Sequence, residues 1–251
     1  GAMEAVTDPQ ARLQAIRQLT AMALAGAPTS EPAFDCLGVV ARECGITSRM
    51  AEDVIEGFAL DAADWRPRRE SDLYQYCYHV AGAVGVMMAV VMGVPADDDA
   101  TLDRACDLGL AFQLANIARD IAEDDAAGRC YLPDDWLAML DIGPGEHMKP
   151  HNRKKLALMG RWLADEAEQY EASARVGAAH LPLRARWAVL SAAGIYGEIA
   201  RKVRAAQAHA WDQRIFTSRP EKFRWVREAF VDAIANNPRD TNRDMLWTRG
   251  R

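Results

Sequence analysis

The sequence predicts an all-α protein with a single domain, and two features of the chain carry that prediction. Apolar residues recur at intervals of three and four in nearly every segment, which is the spacing of one helix face, whereas no segment shows sustained two-residue alternation. No linker-like run divides the 251 residues, and 50% of them are hydrophobic, which is enough for one sizeable core. We therefore expect one helical domain over residues 1–251.

Capping residues, glycines and prolines place the ends of the predicted helices. Start signals occur at Thr7-Asp8-Pro9, Ser30, Thr47-Ser48, Ser71, Ala100, Pro133, Asn152, Leu183 and Pro220, and the first two helices end at Gly26 and Gly45. The segment 141–150 has the Gly and Pro content of an exposed loop. Residues 1–3, Gly-Ala-Met, read as a cloning remnant, and we expect the polar tail over about 236–251 to be loose.

Composition excludes several classes of protein. The net charge of −6 argues against a nucleic-acid partner, which calls for a basic face, and an anionic substrate would need metal ions or local arginines. Five cysteines without C-x-x-C spacing indicate reduced thiols in a cytoplasmic protein. No signal peptide is visible, and the longest apolar run, 80–94, is shorter than the ~18 residues of a spanning helix.

The most informative stretch is DLGLAFQLANIARDIAEDDAAGRCYLP, residues 107–133. Asn116, Asp120 and Asp124 stand four residues apart, so on a helix their oxygens share one stripe, with Gln113 inside it and Arg119 at its edge. A row of hard oxygen ligands suits Mg²⁺, which takes one or two carboxylates and leaves positions for substrate phosphates. The alternative is a solvated helix end, because most acidic residues on helices face water.

Two motifs carry a resemblance to a known family. N-x3-D-x3-D followed by GRCYLP resembles the second aspartate-rich motif of the squalene/phytoene synthase family. YQYCYHVAGAVGVMM, residues 74–88, resembles that family's other signature helix, and His79 within it is typical of the bacterial phytoene synthase branch. The match runs from about Asp8 to Phe216, with the two motifs in the expected order.

The resemblance implies a fold and an activity. The fold is an isoprenoid-synthase-type helical bundle around a central apolar cavity. The activity is the Mg²⁺-dependent, head-to-head condensation of two molecules of geranylgeranyl diphosphate through prephytoene diphosphate to phytoene, a step of carotenoid biosynthesis. Mn²⁺ is an alternative ion, and the reaction needs no NADPH. Because such substrates partition into lipid, the resemblance also implies peripheral contact with a membrane.

The resemblance also implies roles for individual residues. Asn116, Asp120 and Asp124 would hold the metal ions, and Gln113, Arg119 and Arg129 would contact phosphate oxygens. The apolar side chains at helical spacing after Tyr76 would line the prenyl cavity, with plain core packing as the alternative: Val80, Ala83, Val84 and Met87. Tyr76 and Tyr131 would stabilise a carbocation through their π faces, whereas Trp211 is better read as a core aromatic.

The chain departs from the family pattern in one respect. The 251 residues contain no first aspartate-rich motif, so we expect an N-terminally truncated form that lacks the N-terminal helices, with impaired or absent activity. An apolar groove would then be open, and a second copy could cover it by self-association. Two alternatives stay open: a squalene or dehydrosqualene synthase that uses farnesyl diphosphate, and a non-catalytic assembly protein with the family fold.

Overall fold

The computed structural model describes residues 8–239 and 241–250 and forms a bundle of helices. These helices are α1 (Pro9–Leu24), α2 (Pro32–Cys44), α3 (Ser48–Ala62), α4 (Glu70–Cys77), α5 (Ala83–Val91), α6 (Asp99–Ala126), α7 (Asp134–Met139), α8 (Arg153–Ala178), α9 (Leu183–Ala206) and α10 (Arg219–Ala235). No strand occurs within the described ranges, so the all-α prediction is confirmed. The expected cloning remnant, residues 1–3, lies outside those ranges.

Local chemistry sets several helix ends where the sequence predicts them. The Asp8 carboxylate accepts hydrogen bonds from the backbone N–H groups of Gln10 and Ala11 and so caps α1. Thr47 caps α3 in the same way through the N–H of Met50. Gly45 ends α2 at a φ of +83°, a left-handed conformation that favours glycine because other residues carry a Cβ.

Helix α6 is the central element of the core and packs against α5, α8 and α9. Leu110 and Leu114 on α6 are buried, as are Leu156 and Leu163 on α8. Burying such side chains stabilises the fold by roughly 1.5–3 kcal/mol each. The same helix also carries the polar stripe, so the candidate site stands on the most firmly packed element of the molecule.

Glycines bring the two signature segments into direct backbone contact. A Cβ added at Gly109 would lie 2.4 Å from the carbonyl oxygen of Ala81, and one at Gly85 would lie 2.5 Å from that of Ala105. Between α4 and α5 the chain runs through a single π-helical segment, Tyr78–Gly82. Such π segments are frequent at functional sites. The close approach places the YHVAG motif beside the middle of α6.

The expectation of a loose C-terminal tail needs correction. Arg243 donates two hydrogen bonds of 2.8 Å to the fully buried carboxylate of Asp107. Arg249 donates to Asp103 over 2.7 Å, and the Trp247 ring lies 5.6 Å from that of Tyr78. The segment's polar composition suggested solvation, but its arginines pair with aspartates that are distant in sequence.

Candidate active site

A cavity of about 430 Å³ lies between α5, α6, α8 and α9, and its wall is almost entirely apolar. Val80 and Val84 line it, whereas Ala83 and Met87 pack against the core. The opposite wall, formed by α8 and α9, includes five small residues: Ala174, Gly177, Ala178, Ala188 and Ala192. Val84 and Met88 remain 42% and 46% exposed, so the cavity is open along α5.

Gln113 and Asn116 form the polar end of this cavity. Asp120 and Asp124 follow one and two turns further along α6, so the stripe from Asn116 to Asp124 spans about 12 Å. The Oδ1 atom of Asn116 is buried and accepts no hydrogen bond from any described residue. An unsatisfied buried acceptor is costly and would be relieved by a cation or a donor.

Arginines surround the two carboxylates of the stripe. Arg119 donates to both oxygens of Asp120, through Nε over 2.7 Å and through Nη2. Arg214 approaches Asp120 within 3.0 Å, and Arg129 approaches Asp124 within 3.4 Å. The described residues contain no cluster of three His, Cys, Asp or Glu side chains suited to a metal ion. The stripe therefore offers two carboxylates and one amide, and the neighbouring guanidinium groups can bind phosphate.

The environment shifts the pKa values at this stripe. Burial raises the pKa of Asp124, and the charges of Asp120 and Glu123 add to that effect while Arg129 opposes it. Hydrogen bonding to Asp120 raises the pKa of Arg119, so this guanidinium remains charged. The carboxylate of Asp124 is thus held at an energetic cost, and a further positive charge nearby would stabilise it.

Three aromatic rings form a stack beside the stripe. The Tyr76 ring lies 5.2 Å from that of Trp65 and 5.0 Å from that of Tyr131. The Tyr76 hydroxyl donates to Asp61 over 2.9 Å, and burial raises its pKa far above the usual value, so the phenol stays neutral. Tyr76 borders a separate polar cavity that contains Arg66, and Tyr131 lies beside Asp124 and Arg129.

Sequence reasoning missed two residues of the site. Tyr196 lines the apolar cavity and stacks on Phe112 with ring centroids 4.3 Å apart. Its segment of α9 carries no motif, so only packing reveals it. Arg214 likewise belongs to no motif, and its ion pair with Asp120 joins residues 94 positions apart.

Trp211, His79 and His147 also have structural partners. Trp211 is buried, and its indole N–H donates to the carbonyl of Ala118 over 2.9 Å. His79 contacts the carbonyl of Asp53 through Nδ1. His147 is buried with Nε2 3.3 Å from Asp125, and burial lowers its pKa. Within the described ranges, no helix combines the length and the apolar character that crossing a bilayer requires.

An all-α bundle that encloses an apolar cavity ending at an Asn/Asp/Asp stripe defines an isoprenoid-synthase fold. A dehydrosqualene synthase solved in complex with a ligand superimposes with a TM-score of 0.81, at 27% identity, over 90% of this chain and 79% of that one. The squalene synthase HpnC from Alicyclobacillus acidocaldarius gives a TM-score of 0.71 at 22% identity, over 81% of this chain and 76% of that one, which supports the fold alone.

The family model for squalene/phytoene synthase matches residues 2–221, and the chain belongs to that family of enzymes. Among its relatives, the 15-cis-phytoene synthase of Pantoea ananas is 46% identical over 98% of this chain and 79% of its own length. The 15-cis-phytoene synthase of Paracoccus sp. (strain N81106 / MBIC 01143) is 45% identical over 98% of this chain and 80% of its own length. The resemblance inferred from the two motifs is thereby confirmed.

Proposed function

We propose that this chain is a phytoene synthase, which joins two molecules of geranylgeranyl diphosphate head to head through prephytoene diphosphate. One observation carries the proposal: the apolar cavity and the Asn116–Asp124 stripe follow each other along α6. A prenyl diphosphate has the same two parts in the same order, a long apolar chain and a compact anionic head. The relatives of 45–46% identity that bear this name support the assignment.

The length of the cavity favours a C20 substrate. Its lining on α6 runs from Asn116 to Thr101, which is roughly 22 Å at 1.5 Å per residue. An extended chain advances about 1.2 Å per bond, so a geranylgeranyl chain spans roughly 19 Å and a farnesyl chain roughly 14 Å. A farnesyl group would leave the inner third without a partner. The farnesyl-using alternative is therefore the weaker reading.

The residues of the stripe fit a divalent cation. Asn116 offers a buried oxygen without a partner, and Asp124 offers a carboxylate whose ionised form is destabilised by burial. We propose that Asn116, Asp120 and Asp124 hold Mg²⁺, with Mn²⁺ as an alternative. When bound, the ion would neutralise charge on the diphosphate and so make it a better leaving group. The reaction to phytoene requires no hydride, so no NADPH site is proposed.

The chain's own side chains would bind, orient and shield the substrate. The amide of Gln113 and the exposed guanidinium groups of Arg129 and Arg214 can donate to phosphate oxygens, while Arg119 fixes the orientation of Asp120. The apolar wall limits the contact of water with a reactive allylic cation. The ring faces of Phe112 and Tyr196 in the cavity can stabilise such a cation. Tyr76 and Tyr131, the candidates from the sequence, line other cavities and could do so only for a substrate that extends there.

Peripheral membrane contact is part of the proposal, and α10 supports it. Phe223, Val231 and Ile234 are each at least 60% exposed on one face of α10, with Arg227 between them. Exposed apolar side chains interspersed with cations are typical of helices that lie at a lipid surface. Sedimentation with anionic vesicles tests this contact, and the double variant Phe223→Ser, Ile234→Ser should bind the vesicles more weakly.

We also propose that two copies of the chain associate across the open side of α5. Light scattering, which reports the mass in solution, tests this proposal.

Binding is the primary test of the proposed function. Calorimetry with geranylgeranyl thiolodiphosphate and Mg²⁺ should show an affinity that falls about 100-fold or more in the double variant Asp120→Ala, Asp124→Ala, since charged hydrogen-bonding groups are lost. The double variant Asp134→Ala, Asp135→Ala at the exposed start of α7 is the matched control, because it also removes two carboxylates from a helix. Equal affinity in wild type and in the Asp120→Ala, Asp124→Ala variant would favour the non-catalytic assembly protein.

A further inference from the structure

We propose that Arg104, held in place by the C-terminal strap (residues 241–250), closes the inner end of the cavity and sets the longest prenyl chain that binds. The inference rests on the proposed function, because it concerns the length limit of the same substrate. It assigns Arg104 as a specificity-determining residue that touches the end of the chain, and Arg243 as a positioning residue that acts through it.

Arg104 lies near the inner end of the lining on α6, where only Thr101, one turn earlier in the chain, lies further in. It is the only charged side chain among the described residues that line the cavity, and it lies twelve residues before Asn116 on α6. That separation is roughly 18 Å along the helix axis. A geranylgeranyl chain of roughly 19 Å would just reach this side chain, while five further carbons would have to displace it.

Hydrogen bonds hold the guanidinium of Arg104 in place, so a ligand cannot displace it freely. Nη1 donates to the carbonyl and the hydroxyl of Ser173, both over 3.2 Å, and Nη2 donates to the carbonyl of Thr241 over 3.3 Å. Its stem packs on Gly177, where an added Cβ would lie 2.6 Å from the Cβ of Arg104. An apolar chain that pushed the guanidinium away would break these hydrogen bonds and leave its N–H groups without partners, which costs free energy.

The same network anchors the strap. Asp107 is fully buried and accepts hydrogen bonds from the Ser173 hydroxyl and from two nitrogens of Arg243. Arg249 donates to Asp103 one turn earlier on α6. Thr241 is therefore fixed by the ion pairs that follow it in the strap, and through its carbonyl it fixes Arg104.

The same α6 thus carries two acidic rows with the same four-residue spacing. Asp103 and Asp107 form the row at the inner end, and Arg249 and Arg243 of the strap neutralise it. Asp120 and Asp124 form the row at the polar end, where Arg129 and Arg214 are exposed and can exchange partners. The inner row holds a wall in place, and the outer row stays accessible to a ligand.

The test is an affinity series over chain length, measured by calorimetry with Mg²⁺ and the farnesyl (C15), geranylgeranyl (C20) and farnesylgeranyl (C25) thiolodiphosphates. Wild type should bind the C20 analogue best. In Arg104→Ala the ratio of C25 to C20 affinity should rise about tenfold or more, because the extra carbons become buried. Arg104→Lys keeps the stem and the charge, so its ratio should stay near that of wild type.

A second variant removes the strap's hold without changing the cavity lining. Asp107→Asn combined with Arg243→Gln takes away both charges together, so no unpaired buried charge remains, and the C25 to C20 ratio should rise severalfold. Arg224→Gln on α10 is the control, because its ion pair with Glu198 lies away from the cavity. A C25 to C20 ratio that stays at the wild-type value in both folded variants would overturn the inference. Failure of wild type to bind any analogue would instead overturn the proposed function.

Discussion

The Asp107 carboxylate in the first half of α6 accepts two 2.8 Å hydrogen bonds from the guanidinium of Arg243, 136 residues further along the chain. Asp107 has no exposed surface, so this pair is a buried, bidentate salt bridge. It joins the end of the described chain to the most deeply packed helix. The C-terminal strap is therefore packed against α6 as part of the folded domain.

Removing one partner of this pair should destabilise the protein strongly. We expect Arg243→Ala to lower the free energy of unfolding by about 3–5 kcal/mol, because it leaves a buried carboxylate without a counter-ion. Urea denaturation at pH 7 measures this. Arg161→Ala is the control: it removes an exposed ion pair with Asp165 and should cost less than about 1 kcal/mol. Equal effects of the two substitutions would show that the strap is not anchored as described.

Asp124→Asn should raise the stability of the metal-free protein and weaken ligand binding. Burial raises the pKa of Asp124, so the ionised form costs stability at every pH above the ordinary pKa of a free carboxyl. The amide removes that cost, and we expect the metal-free protein to gain up to about 1 kcal/mol at pH 7. Mg²⁺-dependent binding of a prenyl diphosphate should weaken in the same variant.

Thermal melts without metal at two pH values check the sign of this effect. The difference in stability between Asp124→Asn and wild type should shrink towards pH 3, because the wild-type carboxyl is then protonated and neutral as well. An Asp124→Asn protein that is less stable than wild type at pH 7 would mean that its pairing with Arg129 outweighs desolvation.

Gly109→Ala should disrupt the contact between the two signature segments. The new Cβ would lie 2.4 Å from the backbone carbonyl oxygen of Ala81. Neither atom can move by a side-chain rotation, so one of the two helical segments must shift. We expect a loss of about 3 kcal/mol, measured by urea denaturation, since overpacking of this kind costs that order of free energy. Gly143→Ala meets only the flexible side chain of Glu146 at 3.2 Å and should change the unfolding free energy much less.

The start of α10 should contribute stability that depends on pH. Lys202 and Ser218 lower the pKa of Glu221 to about 2, so its contribution is complete above the unfolded pKa and disappears as the pH falls through about 2. Glu221→Ala should destabilise the fold by about 1 kcal/mol at pH 7, as loss of a capping box does. Denaturation curves should show less than half of that difference near pH 3. A difference that does not change with pH would exclude this carboxylate as its source.

Much of the fold could be predicted from local patterns. Asp8, Thr47 and Gly45 end helices through bonds to residues a few positions away, so their effect is visible in the sequence. The four-residue spacing of Asn116, Asp120 and Asp124 likewise implies one stripe, because a helix repeats every 3.6 residues. The family motifs then connected that stripe with prenyl diphosphates.

The partners of the site residues could not be predicted in this way. No sequence feature near Arg214 indicates that it pairs with Asp120, and none near Tyr196 indicates that it stacks on Phe112. Each pair joins segments that meet only after folding. The expectation of a loose tail failed for the same reason. Polar residues are solvated when considered one by one, but a buried carboxylate such as Asp107 requires a counter-ion and recruits Arg243 from far along the chain.

The sequence by itself determined the helices, the order of the two motifs and the family, since all three depend on residues that are close together in the chain. Tertiary structure alone decided which side chains line the cavity and which arginines pair with each acidic row. Those properties depend on distances between separate helices, and packing sets such distances only when the whole core has formed.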